Sequence, residues 1–593
     1  MSRHVGKKLG KNDKAKDTKG TLRRLWSYLS RMKMFLYLVI LMVFISSAAA
    51  LLGPFLVGKA IDEYIVTKEA TGLIRLVIGL ITVYILHSLS IWFQNYWMIG
   101  VAQDTVYRLR KDLFHQLHQL SIPFFDKRKH GELMSRVTND IDNVSATLNS
   151  SFIQIISSIL TLVGTVSIML WLSPLLTLIT LTIVPLMILG MKWITKRTGR
   201  LFKEYQQNIG ELNGYIEETI SGHSIIKTFS REETAIKDFS EKNQRLRTSA
   251  YWADTYSGFI PKLMNVLNNL SFAVIAGVGG IFALNGMITI GVIVIFAEYA
   301  RQFTRPLNEL ANQYNTLLSA IAGAERVFQI LDEEEEAKDE GDAVEIDSVE
   351  GKVDFQHVSF SYEKGERTLE DVSFSIRPGE TIALVGPTGA GKTTITNLLS
   401  RFYELNEGSI KIDGRDIQTI KRKSLRQQMG FVLQDSFLFQ GTIADNIRYG
   451  RLDASNEEVR SAAKLANAHT FIEKMPQGYE SLLRADGSGI SQGQKQLLSI
   501  ARAILSDPSI LILDEATSSI DTITELKIQD ALKRLMEGRT SVVVAHRLNT
   551  IRQADQILVL DQGRIIERGS HEELLEEKGF YHGLYHSQLR ESV

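Results

Sequence analysis

Apolar positions along this chain fall into two regimes. In the first half they form runs close to the length of a bilayer-crossing helix, roughly 20 residues. These runs are Phe35–Val57, Leu73–Met98, Phe152–Leu172, Leu175–Trp193, Leu263–Leu284 and Ile288–Phe303. Gly53-Pro54 inside the first predicts a kink. In the second half the apolar runs shorten to strand length and alternate with helical stretches: Val353–Phe355, Val358–Phe360, Ile382–Val385, Ser509–Asp514 and Val542–Ala545. That alternation predicts an α/β domain.

The polar segments between the apolar runs orient them. Ser173-Pro174 and Asn285-Gly286-Met287 are short uncharged links. The stretches from Gln103 to about Asn149 and from Lys196 to about Thr255 are long and rich in Lys and Arg. Positive residues stay on the cytoplasmic side, so the long loops and both chain ends are expected there, in a multi-pass protein of the cell membrane. Helical periodicity on both sides of Ile122–Asp126 and of Ser221-Gly222-His223 predicts helices that run on past the bilayer. A short transverse helix is expected at each break, near Phe125–Leu133 and near Gly222–Thr228. Glu298 is read as pairing with Arg301 and Arg305, because a lone charge in lipid is costly. Asn265, Asn268 and Asn269 are candidates for a polar path or a helix contact. The domains expected are a basic tail (1–24), a transmembrane domain (25–331), an acidic linker (332–348) read as solvated, and an α/β domain (349–593).

Total charge changes this picture little. Lys plus Arg equals Asp plus Glu, 67 each among 593 residues, so nothing points to nucleic acid. The absence of cysteine excludes disulfides, thiolate metal sites and cysteine nucleophiles.

The chemistry concentrates after the strand Ile382–Val385. Gly386, Pro387, Thr388, Gly389, Ala390, Gly391, Lys392 and Thr393 fit G-x-x-x-x-G-K-[ST], and Thr394 continues into a helical stretch. Bare backbone can curl around a phosphate, and the helix start favours the anion. Lys392 would reach the β- and γ-phosphates of ATP, and the Thr393 hydroxyl would hold Mg²⁺. Asp514 ends an apolar strand and would bind Mg²⁺ through water. Glu515 follows and would polarise the attacking water. His546 would bond the γ-phosphate, Gln434 would reach both Mg²⁺ and water, and the Tyr362 ring would stack on adenine. The fold class is therefore a multidomain membrane protein, an all-α six-helix transmembrane domain followed by an α/β P-loop nucleotide-binding domain.

Ser488-Gly-Ile-Ser-Gln-Gly-Gln-Lys-Gln496 is the most diagnostic stretch. With it, the chain resembles an ATP-binding cassette exporter in half-transporter form, from about Leu25 onward. The resemblance implies that Ser491, Gly493 and Gln494 cover ATP bound by a partner chain, so the active unit is a dimer. It makes Asp514–Asp521 the Walker B end and D-loop, with Asp521 in the latter. Gln434 becomes the Q-loop, His546 the switch histidine and Tyr362 the adenine contact. One departure stands out: the usual signature has two glycines after its serine, and here Gln492 precedes Gly493. With Glu515 and His546 intact, this is similar to the catalytic-glutamate subunit of bacterial heterodimeric multidrug exporters. The implied function is ATP-driven export of amphipathic drugs or lipids by alternating access. A homodimeric drug or lipid exporter is the alternative, and an ATP-gated channel or membrane regulator a more distant one. Moving a two-state equilibrium from 1:99 to 99:1 takes about 5.5 kcal/mol, which a few charge-assisted phosphate contacts supply.

Overall fold

The structure is a computed structural model and describes residues 17–339, 341–362, 367–434, 436–484, 489–514, 520–545 and 551–591. It divides into two compact units. One holds the chain up to Gln119 together with Arg128–Glu333, and the other holds Leu120–Lys127 together with Glu334 onward.

The first unit is helical. It contains α1 (Thr18–Leu29), α2 (Lys33–Lys59) and α3 (Ala70–Gln119). A five-residue helix, α4 (Ile122–Asp126), belongs to the second unit. The helical unit resumes with α5 (His130–Ser135), α6 (Ile141–Leu172), α7 (Pro174–Leu181), α8 (Ile183–Ser221), α9 (His223–Thr228), α10 (Glu232–Leu284) and α11 (Ile290–Leu331). At 1.5 Å per residue the 50 residues of α3 span roughly 75 Å, well over twice a hydrocarbon core. Many apolar side chains of α3, such as Ile78, Ile85 and Trp92, are exposed. In water that surface would drive aggregation, whereas in lipid it is the low-energy arrangement.

Six crossings were expected. Among the described residues, five helical segments are long and apolar enough to cross a membrane, and α11 is not one of them. Its apolar stretch, Ile288–Phe303, carries Glu298 and Arg301, and Arg305 and Glu309 follow directly. Glu298 pairs with Arg301 at 3.7 Å, as expected, but Arg305 turns to Glu309 at 2.9 Å. Polar side chains also join helices: Ser46 donates to Gln94 at 3.2 Å between α2 and α3, and Tyr299 of α11 donates to the Leu51 carbonyl at 2.6 Å. Asn265 and Asn269 are exposed on α10, and Asn268 is half-buried.

Two expectations need correction. The first transverse helix lies at Ile122–Asp126 rather than Phe125–Leu133, because Pro123 sits in its first turn, and a turn at Lys127–Lys129 separates it from α5. The acidic run after α11 is exposed at Asp332, Glu334, Glu335 and Lys338, as a solvated linker would be, but four of its carboxylates pair with arginines. Asp332 pairs with Arg24 and Glu333 with Arg128 inside the helical unit. Glu336 pairs with Arg426 at 2.6 Å and Asp339 with Arg422 at 2.8 Å inside the second unit. Glu333, Glu336 and Asp339 are half-buried, Asp332 is exposed, and of the arginines they neutralise Arg422 is itself buried.

The second unit is built on strands. They are β1 (Val353–Phe360), β2 (Leu369–Ile376), β3 (Thr381–Val385), β4 (Glu407–Ile412), β5 (Arg415–Asp416) and β6 (Met429–Val432). After them come β7 (Gly441–Thr442), β8 (Leu482–Leu483), β9 (Ile510–Asp514), β10 (Thr540–Val544), β11 (Gln556–Asp561) and β12 (Arg564–Gly569). A six-stranded sheet runs β12-β11-β3-β10-β9-β6, parallel except at the β12 edge. A four-stranded antiparallel sheet runs β2-β1-β4-β5. Alternate residues of the large sheet enter two different cores. Ala383, Val385, Leu511 and Leu513 pack with the helix Gln492–Ser506. Ile382, Leu384, Ile510 and Ile512 pack with the four-stranded sheet and with α12 (Lys392–Leu399). Burial on both faces is why these strands read as unbroken apolar runs.

Candidate nucleotide site

β3 and β9 flank β10 in register, with Val544 opposite both Leu384 and Asp514. The loop after β3 and the carboxylate ending β9 therefore emerge at the same sheet edge, the carboxyl end of the parallel strands where α/β folds bind ligands. The loop cannot carry side chains at two of its glycines. A Cβ on Gly386 would stand 2.1 Å from the Leu560 carbonyl oxygen. Gly391 has φ +101°, and a Cβ there would stand 2.6 Å from a Leu369 methyl. Gly391 caps α12, whose first residue is Lys392.

Lys392 is 7% exposed, and its ammonium donates to the carbonyls of Gly386 at 2.6 Å and Pro387 at 3.0 Å. Burial lowers its pKa, and the nearby Asp514 carboxylate opposes that shift. A desolvated cation cradled by backbone is poised to gain from an incoming phosphate. The Thr393 side is exposed. Thr394 is buried and its hydroxyl meets the Tyr362 hydroxyl at 3.2 Å. Pro387, Thr388 and Gly389 lie on the exposed outside of the loop, and Ala390 is buried beneath it.

Tyr362 borders an open cleft of about 370 Å³ shared with Arg367, Asn406 and Glu407. Its ring is held edge to face by Phe360 and by Tyr403, with centroids 4.9 Å away in both cases. Gln434 is exposed in a turn two residues beyond β6. Glu515 directly follows β9 and His546 follows Ala545, and both lie outside the described residues.

The signature stretch starts a different helix. Ser491 caps Gln492–Ser506: its hydroxyl accepts from the Gln494 N–H at 3.2 Å, while the Gln494 side chain accepts from the Ser491 N–H at 2.9 Å. This reciprocal box fixes the first turn. Gln492 is exposed on that turn and Gly493 is buried. A Cβ on Gly493 would stand 2.4 Å from the Thr524 methyl. Thr524 belongs to the helix Thr522–Met536, capped by Asp521, whose carboxylate accepts from the Thr524 N–H at 2.9 Å. That bond holds the Asp521 carboxyl below its ordinary range.

Lys392 and Asp514 are thus brought together, as are Tyr362 and Thr394, while Ser491, Gly493 and Asp521 form a separate cluster. Sequence reasoning missed Tyr403, Asn397 and Thr524. Asn397 donates to the Tyr362 hydroxyl at 3.5 Å. A position one helical turn past Thr394 in α12 was a usable signal for Asn397; Tyr403 and Thr524 had none.

Residues 36–307 match the ABC transporter transmembrane region, and residues 369–518 match the ABC transporter domain. An uncharacterized ABC transporter ATP-binding protein of Bacillus subtilis, YfiC, is 65% identical over 587 residues, 99% of this chain and 97% of its own. A fatty acid ABC transporter ATP-binding/permease protein of Mycobacterium tuberculosis is 45% identical over 502 residues, 85% of this chain and 79% of its own. A solved bacterial Atm1-family ABC exporter with ATP bound superposes with a TM-score of 0.72 at 31% identity, covering 94% of this chain and 98% of that one. A helical membrane unit fused to a phosphate-loop unit, matched along almost its whole length, makes this chain a member of the ABC transporters: a membrane-embedded exporter half-transporter that binds ATP and couples its hydrolysis to transport.

Proposed function

We propose that this chain exports amphipathic small molecules or lipids across the cell membrane as one half of a heterodimer. The observation that carries the pairing is Gln492, exposed on the first turn of the helix that Ser491 caps. A side chain there stands where a bare backbone would otherwise approach a partner-bound γ-phosphate. The chain's own Lys392, Asp514, Glu515 and His546 then serve the hydrolytic site, and its signature (Ser491, Gly493, Gln494) covers ATP held by the partner. Within the hydrolytic site, Lys392 binds the β- and γ-phosphates and Tyr362 stacks on the base. Glu515 takes a proton from the attacking water and His546 holds Glu515 in place. Thr393 and Asp514 fit Mg²⁺, since a hydroxyl and a carboxylate flank the buried Lys392; Gln434 would be a further ligand, and the ion would neutralise phosphate charge. The amphipathic class is supported by the few charges within the spans and by the fatty-acid name of one relative. The positive charge of the long loops supports a cytoplasmic setting for both termini and the nucleotide unit.

A homodimer is the second reading. The capping box closes in spite of Gln492, so the signature turn keeps its shape. Purified alone in proteoliposomes, the chain is expected to hydrolyse ATP slowly and without stimulation by drugs or fatty acids. Fast, cooperative, stimulated hydrolysis by the single chain would establish the homodimer instead.

A further inference from the structure

The loop that leaves α12, residues 400–405, reaches beyond the nucleotide cleft. Tyr403 lies on it. Its ring stands edge to face against Tyr362, 4.9 Å between centroids and 89° between planes. Its hydroxyl points to another element and donates to Asp126 Oδ2 at 2.6 Å. Asp126 is the last residue of α4, and residues 120–127 cluster with the nucleotide unit rather than with the helices that flank them in sequence. The same neighbourhood is tied twice more. Leu120 pairs with Glu335 in an isolated antiparallel bridge, and Arg401 contacts Asp339 at 3.5 Å. Burial and the Asp126 carboxylate raise the Tyr403 phenol above its ordinary range, so it stays a donor at neutral pH.

A phenol is rigid between ring edge and hydroxyl. Any tilt imposed on the ring where it meets Tyr362 is carried to the oxygen that holds Asp126, with no torsion in between to absorb it. We propose that Tyr403 is a positioning residue that makes the setting of α4 depend on whether a purine base is stacked on Tyr362. The inference rests on the base-stacking role proposed for Tyr362. It gives the first transverse helix a direct reading of the base, separate from any reading of the phosphates.

Amide hydrogen exchange of peptide 120–127, in the full-length protein in nanodiscs, tests this with and without saturating AMP-PNP. The analogue is expected to slow exchange about tenfold in the wild type, the scale of one charge-assisted hydrogen bond. Tyr403→Phe keeps AMP-PNP affinity within about twofold but loses the slowing. Tyr362→Ala, saturated with AMP-PNP, loses it as well, and the double variant shows no further loss. Asp126→Asn, which keeps an acceptor without its charge, gives a partial slowing. Full slowing in Tyr403→Phe, no slowing in the wild type, or faster exchange in Tyr403→Phe by the same factor with and without nucleotide would overturn the relay. Unchanged AMP-PNP affinity in Tyr362→Ala would remove the base-stacking reading itself. Weakened affinity in that variant with slowing intact in Tyr403→Phe would remove only the relay.

Discussion

Gly493→Ala separates two reasons for a glycine in the signature turn. The added methyl would sit 2.4 Å from Thr524 Cγ2 and 3.2 Å from Ile520 Cγ2. The obstacle is the methyl of a β-branched side chain on a helix whose first turn is fixed by Asp521, so relief requires Thr524 to change χ1 rotamer or the two helices to shift. Overpacking of this kind costs about 1–3 kcal/mol. In a domain of this size each kcal/mol lowers the melting temperature by about 2–4 °C, so a drop of several degrees is expected for the nucleotide unit. Thr524→Ser deletes the methyl and keeps the N–H bond to Asp521. Introduced with Gly493→Ala, it should restore most of the lost stability, a non-additive pair. Thermal unfolding of the purified chain, followed by ATP hydrolysis of the same samples, reads both quantities. If Gly493→Ala leaves the melting temperature unchanged, or Thr524→Ser restores nothing, helix packing is not what excludes a side chain at 493.

Lys392→Met should weaken ATP binding at least about tenfold, read by nucleotide titration, because it removes the cation that now rests on the Gly386 and Pro387 carbonyls. Glu515→Gln should keep ATP affinity while lowering hydrolysis by about a hundredfold or more, and wild-type turnover in that variant would exclude Glu515 as the base. Asp339→Ala strips one carboxylate from buried Arg422 and Arg401 but leaves Glu404 to both, so a destabilisation of about 1–3 kcal/mol is expected by chemical denaturation. Removing divalent metal with EDTA should abolish hydrolysis, and Thr393→Ala should raise the Mg²⁺ concentration needed for half-maximal rate.

What the residue pattern reveals depends on the range over which its causes act. The strands at the phosphate loop and at Asp514 were readable because burial on both faces demands continuous apolar runs, a local property. The long helices were readable for a similar reason. The acidic run at 332–340 misled because its partners are remote: Arg422 and Arg426 lie more than 80 residues downstream of Asp339 and Glu336, and no local rule connects them. The first transverse helix was misplaced because five residues are too few to show a period. Tyr403 was invisible because Tyr362 and Asp126, the residues it joins, come from two separate upstream segments, the second of them 277 residues away.

The order of strands in the large sheet bears on how the chain is made. β3, which launches the phosphate loop, is paired on one side with β10 and on the other with β11. Neither neighbour exists when Val385 leaves the ribosome, since β10 begins at Thr540. At synthesis rates of about 5–20 residues per second the strand waits roughly ten to thirty seconds. During that time an apolar, edge-exposed segment hangs behind helices that are already being inserted. Nascent chains arrested before Thr540 should therefore be the ones that chaperones capture and proteases remove.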